Sequence, residues 1–172
     1  MRTIRTTGKG RSQAVADAIE AVLVSELLAP SAAMWLVSPW LSDLLVIDNT
    51  DGRFAGLTSL PRRHVPLTEV LARLTSPPAA ASVTVVTRDE PTNTAVLAKL
   101  QSHQEQSAQF RLVIDRKVHD KALLTDRLLL SGSMNFTIGG TEHNTESLTI
   151  SDDPEQVGAT HVQFADLYGA PR

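Results

Sequence analysis

A chain of 172 residues with 16 Lys and Arg against 19 Asp and Glu, and with 42% hydrophobic and 4% aromatic residues, has the balance of one globular domain spanning 1–172. A net charge of -3 excludes a non-specific nucleic-acid coat, and the absence of cysteine excludes disulfides, thiolate metal sites and a thiol nucleophile. No apolar run reaches the ~20 residues needed to cross a bilayer, and Met1 to Gln13 lacks the apolar core of a secretory signal, so a cytoplasmic protein with no membrane attachment is expected.

Arg11 to Leu28 carries Val15, Ala18, Ile19, Val22, Val24 and Leu27 at near-helical spacing and stops before Ala29-Pro30, which predicts a helix. Ala33 to Val37 is a short apolar run closed by Ser38-Pro39 and reads as a buried strand, with a second short strand over Leu44 to Asp48. Asn49 to Pro66 is turn-rich and reads as a surface excursion; Arg62-Arg63 within it is the best basic patch of the chain and the candidate substrate-binding pair. Pro66 to Leu74 predicts a helix with proline at its first turn. Ser82 to Thr87 predicts a strand by β-branching, and Thr92 to Gln106 an amphipathic helix with Ala95, Leu97 and Leu100 inward. Phe110 to Ile114, Val118 to Thr125, Leu128 to Ser131 and Ser147 to Ser151 follow as strands, and a helix from Pro154 to Tyr168 closes the chain. Helices alternating with strands early and hairpin-like strands later imply an α/β fold: a mixed sheet flanked by helices on both faces.

Chemistry-bearing residues crowd into one stretch: Val118-His-Asp-Lys121, Asp126, Gly132-Ser-Met-Asn135 and Asn144-Thr-Glu146. If Val118 to Thr125 is a strand, its period of two puts His119 and Lys121 side by side on one face, while Asp126 differs in parity and takes a structural role. Gly132 permits close backbone approach. Ser133 and Asn135 then begin a short helical turn through Phe136 to Ile138, whose N–H groups, hydroxyl and amide would make an anion cradle.

These residues resemble the His-x-Lys-x4-Asp…Gly-Ser-x-Asn signature of the phospholipase D superfamily, read as His119-Asp-Lys121, Asp126 and Gly132 to Asn135, with Asn144-x-Glu146 similar to its acidic partner segment and Trp35 to Pro39 to its opening strand. Arg127 to Ser131 is one residue shorter than the common spacing. The resemblance implies a metal-independent phosphodiesterase without cofactors: His119 attacks phosphorus, a second histidine protonates the leaving oxygen, and water releases the phosphohistidine. Imidazole titrates near ~6.5, so two copies of one residue can serve as nucleophile and acid. Lys121, Ser133 and Asn135 would stabilise the equatorial oxygens, Gly132 would contribute to substrate binding, and Glu146 would orient His119. That mechanism needs two His-Lys pairs. His64, His103, His143 and His161 lack a Lys two residues later, so the second pair is expected from another copy, in a homodimer. The short nuclease-like members suggest nucleic acid, above all DNA, as substrate. Trp35 to Asp48 and Val118 to Thr137 are similar to the phospholipase D-like proteins of bacterial DNA-modification and phage-defence clusters, the DpdK type, which implies partner subunits of a defence or restriction system.

Other readings compete. Phospholipid head groups are the alternative substrate, and a phosphate-binding subunit without turnover the alternative class. Asp115-Arg-Lys117 fits the acidic-x-Lys end of a magnesium-dependent nuclease. Trp35 and Trp40 read as core or interface residues, His103 as a surface residue, His143 as a loop residue and His161 as half-buried in the last helix.

Overall fold

The computed structural model describes residues 1–5, 13–54, 56, 59–137 and 147–171. In chain order these form β1 (Arg2–Arg5), α1 (Gln13–Leu28), β2 (Ala33–Val37), β3 (Leu45–Asp48), β4 (His64–Pro66), α2 (Leu67–Leu74) and β5 (Ser82–Thr87). A 3₁₀ turn at Pro91–Asn93 leads into α3 (Thr94–Gln106), followed by β6 (Phe110–Ile114), β7 (Ala122–Leu124), β8 (Leu129–Gly132), β9 (Ser147–Ser151) and α4 (Pro154–Tyr168). Among the described residues, seven strands make one sheet in the order β1-β9-β8-β7-β2-β5-β6, and β3 and β4 pair separately. β2, β5 and β6 are parallel, while β7, β8, β9 and β1 are added antiparallel, which gives the expected mixed α/β sheet.

The period of two along each strand sorts side chains between two cores. Met34 and Leu36 of β2, Val83 and Val85 of β5, Leu123 of β7 and Leu130 of β8 face α1, α2 and α3. Trp35, Val37, Val86, Ala122, Leu124 and Leu129 face the other way, where Val157 and Phe164 of α4 cover them. Trp35 is fully buried, its ring 5.7 Å from Phe164. Burying one large apolar side chain in this way contributes about 1.5–3 kcal/mol. Arg111 of β6 fixes the far end of α4 by donating to the carbonyls of Tyr168 at 2.7 Å and Gly169 at 2.5 Å, a cation against the negative end of the helix dipole.

Several elements depart from the sequence reading. β1 was not foreseen, since Arg2–Arg5 offers the core only Ile4; it forms because β9 presents an edge to pair with. The Asn49 to Pro66 stretch is more than a surface excursion. Its end pairs with β3, Val65 is fully buried, and the buried Asn49 side chain accepts from Phe54 N–H at 2.9 Å and donates to the carbonyls of Leu60 and Pro61. Ala95 is exposed and Val96 takes its inward place beside Leu97 and Leu100, because α3 starts two residues late, after the buried Asn93.

His103 is half-buried instead of a surface residue. Its ring lies 4.7 Å from Phe110, and its Nε2 is 2.7 Å from the Thr75 hydroxyl, which itself donates to helix carbonyls. Burial lowers its pKa. The unfolded chain then binds the proton more readily, so stability should fall as pH drops below the ordinary imidazole value of ~6.5 and go on falling until the lowered folded value is passed. Urea midpoints of the wild type should decline on acidification more steeply than those of His103→Gln. Parallel declines would remove His103 from the acid response.

Candidate active site

The segment that carries the first half of the motif is not a strand. The expected Val118 to Thr125 strand is β7, and it begins only at Ala122. The reason lies in its neighbour: β2 ends at Val37, paired with Ala122, and Ser38-Pro39 turns away, so residues 118–121 have no strand to pair with on that side. His119 and Lys121 therefore do not share a strand face. They converge by another route. Both line a cavity of about 570 Å³ together with Asp120, Ser131, Gly132, Ser133 and the α4 residues Thr160, Gln163 and Phe164. Lys121 Nζ also donates to His119 O at 2.6 Å, and Lys121 O accepts from Gly132 N–H at 3.3 Å, which stitches the two halves of the motif together.

Gly132 ends β8 opposite Leu148 of β9. A Cβ at this position would lie 1.9 Å from Ser147 O, so the sequence needs glycine here for packing of backbone on backbone. Ser133 continues the join: its N–H donates to Ser147 O at 3.1 Å and its hydroxyl accepts from Ser147 N–H at 3.1 Å. The helical turn expected from Phe136 onward is replaced by a β-bridge from Phe136, buried in the main core, to Leu41 and a bend at Thr137, whose N–H returns to Asn135 O at 2.8 Å; Ile138 lies outside the described residues. The expected cradle of backbone donors is correspondingly reduced. The N–H groups of Gly132, Ser133, Phe136 and Thr137 bond to Lys121 O, Ser147 O, Ser38 Oγ and Asn135 O. Asn135 is half-buried and does not line the cavity, and its Oδ1 is buried with no hydrogen-bond partner among the described residues.

Asp126 sits in the β7–β8 turn, where its carboxylate accepts from Ala32 N–H at 2.6 Å and Ala33 N–H at 3.3 Å at the start of β2. Beside it Arg127 donates at 2.7 Å to Glu26, which is buried at the end of α1 and accepts from Ser31 N–H at 2.8 Å. This clamp joins α1, β2 and the turn at the end of β7 away from His119. Glu146, His143 and Asn144 lie outside the described residues. Arg62 and Arg63 are not brought to the cavity. Arg63 is paired with Glu69, whose ionisation burial opposes but whose pKa the hydrogen bonds and charges of Arg63 and Arg73 hold below the usual carboxylate value. Asp115 closes its own turn by accepting from Lys117 N–H at 2.8 Å.

The residues missed by sequence reasoning lie at the carboxyl ends of β2 and β5. Asn93 is fully buried; its Oδ1 accepts from Leu41 N–H, and its Nδ2 lies within 3.1 Å of Pro39 O, Arg88 O and Thr87 Oγ1. Ser38 Oγ donates to Trp40 O at 2.7 Å and accepts from Phe136 N–H at 3.3 Å, and Ser42 N–H donates to Phe136 O at 2.9 Å. The loop after β2 thus holds the Asn135 segment. Nothing in a lone Asn or Ser within a polar stretch announces such a role.

A family described as cardiolipin synthase, phospholipase D-like domain, matches residues 63–168, more than half of the chain. No curated protein sequence matches. Among solved structures, Nuc of Salmonella typhimurium, a phospholipase D family member, aligns with a TM-score of 0.61 at 16% identity over 99% of this chain and 95% of its own. NucT of Helicobacter pylori aligns with a TM-score of 0.60 at 10% identity over 99% and 97%, and polyphosphate kinase of Porphyromonas gingivalis with 0.63 at 13% over 99% and 24%. At these identities the likenesses establish the fold, and the family match adds descent: the chain belongs to the phospholipase D-like domain family.

Proposed function

We propose that this protein hydrolyses phosphodiester bonds in nucleic acid, with DNA as the favoured substrate, in an active site shared by two copies of the chain. The observation that carries the reading is the convergence of His119, Lys121, Gly132 and Ser133 on one cavity from segments separated by the β7–β8 hairpin. His119 attacks phosphorus and the P–O bond to the leaving group breaks; the His119 of the second copy gives that oxygen its proton. Water, deprotonated by the same second histidine, then attacks the phosphohistidine and frees His119. Lys121 by its charge and Ser133 by donating a hydrogen bond stabilise the equatorial oxygens, with Asn135 brought in when substrate and the second copy complete the site. Supporting the nucleic-acid substrate are the near full-length matches with Nuc and NucT, which share the size of this chain. The modest charge fits a subunit delivered to DNA by partners, as the likeness to defence-cluster proteins suggests.

Plasmid DNA and bis(p-nitrophenyl) phosphate should both be cleaved in excess chelator, and acid-labile, base-stable phosphate should be trapped on His119. Activity lost in chelator and restored by magnesium would move the chemistry to Asp115 and Lys117. Turnover of cardiolipin vesicles with DNA left intact would select the lipid reading that the family's description makes available.

A further inference from the structure

We infer that Arg88 is a positioning residue for His119, acting through the carbonyl of Val118. This rests on the proposed role of His119. The segment 118–121 lies outside the sheet, so the ladder that normally fixes a motif residue is missing. What remains at its start is two hydrogen bonds: Val118 N–H to Asp115 O at 3.3 Å, and Arg88 Nε–H to Val118 O at 2.9 Å. The second is the shorter, and its donor is charged. It is also the one hydrogen bond that the Arg88 guanidinium makes among the described residues, so the group is committed to this carbonyl.

The donor itself is immobilised. The Arg88 guanidinium carbon lies 5.2 Å from the centre of the Trp40 ring, a cation over an aromatic face. Both residues hang from Asn93, whose side chain bonds Leu41 N–H and Pro39 O on either side of Trp40 and the carbonyl of Arg88 itself. The Val118 side chain is buried in the core cluster that contains Trp35, Val37 and Val86, which anchors that residue through its side chain; Arg88 holds its carbonyl. A backbone pinned one residue before His119 sets where its imidazole can point. Loss of the pin leaves the cavity lined by the same side chains but lets the nucleophile wander, and misplacement by about 1 Å can cost ~100-fold in rate.

The test compares Arg88→Met and Arg88→Lys with the wild type on bis(p-nitrophenyl) phosphate. Methionine keeps an apolar stem over Trp40 and removes the donor. Its kcat should fall about 10- to 100-fold, with KM within about twofold and the urea midpoint little changed. Lysine can still donate to Val118 O but cannot lie flat on the ring, so it should recover part of the loss. If Arg88→Met does not hold its fold, Trp40→Leu, which loosens the guanidinium while leaving the donor, carries the same expected split between kcat and KM. A kcat within about twofold of wild type, a loss carried by KM alone, or Arg88→Lys no better than Arg88→Met would overturn the inference. His119→Ala is measured alongside. If that variant keeps wild-type activity, the functional reading itself falls; if it is inactive while Arg88→Met turns over normally, only the positioning role does.

Discussion

Wild-type and His119→Ala subunits, mixed and exchanged to equilibrium, should cleave in proportion to the square of the wild-type fraction. The reasoning begins with a count. One His-x-Lys pair exists per chain, at His119 and Lys121, while in-line displacement at a phosphodiester needs both a nucleophile and an acid for the leaving oxygen. Among the described residues, His119 is the one imidazole that lines the cavity of a single subunit. If the second comes from another copy, a mixed dimer lacks either nucleophile or acid and is nearly inactive, so only dimers with two intact histidines turn over. Pure His119→Ala should lose on the order of 1,000-fold or more in kcat. The measurement needs two purified variants, a dissociation and reassociation step and a cleavage assay across several ratios. A line directly proportional to the wild-type fraction, with exchange verified, would refute the shared site and leave the role of His119 standing.

Gly132→Ala should separate β9 from β8 and remove activity together with stability. The added Cβ would sit 1.9 Å from Ser147 O, 2.9 Å from Ser147 C and 3.2 Å from Leu148 Cα, all backbone atoms that no side-chain rotation can move aside. Relief requires shifting a strand that pairs with β8 through four residues and with β1 through four more. The same shift breaks the double link between Ser133 and Ser147 and carries Ser133 away from the cavity. Overpacking of this kind costs about 1–3 kcal/mol and more where the clash is with main chain, so a loss of about 3 kcal/mol is expected from urea unfolding, with kcat reduced more than 100-fold. A variant with an unchanged midpoint and full activity would show that β9 does not approach Gly132 as closely as described.

These two effects differ in how far the sequence alone foretold them. The requirement for glycine at 132 was legible as a need for close approach, but its partner, Ser147, was not, because pairing between β8 and β9 spans an intervening segment. His119 and Lys121 were legible by type and spacing. Their shared strand face was not, since β7 starts after both and they reach the cavity from a segment outside the sheet. The buried strands Ala33–Val37 and Ser82–Thr87, the edge strand Phe110–Ile114 and the last helix Pro154–Tyr168 fell where hydrophobic pattern and turn residues put them. In each, local preference and burial agree. β1 carries two arginines and little apolar surface, and exists because an edge was available.

By itself the sequence determined the α/β class, the order of most elements and the motif residues, because periodicity, proline and glycine act locally and a motif is a matter of residue type and spacing. Only the tertiary structure decided which of those residues meet. It brought His119, Lys121, Gly132 and Ser133 to one cavity walled by α4, sent Asp126 to a clamp at the other end of β7, and left Arg62 and Arg63 away from the cavity. It also supplied Asn93, Trp40 and Arg88 as the support beneath His119, residues whose types are unremarkable and whose partners lie up to 54 positions away along the chain. Long-range hydrogen bonds leave no period in a sequence; they follow from the sheet order that places the carboxyl ends of β2 and β5 beside the segment before β7.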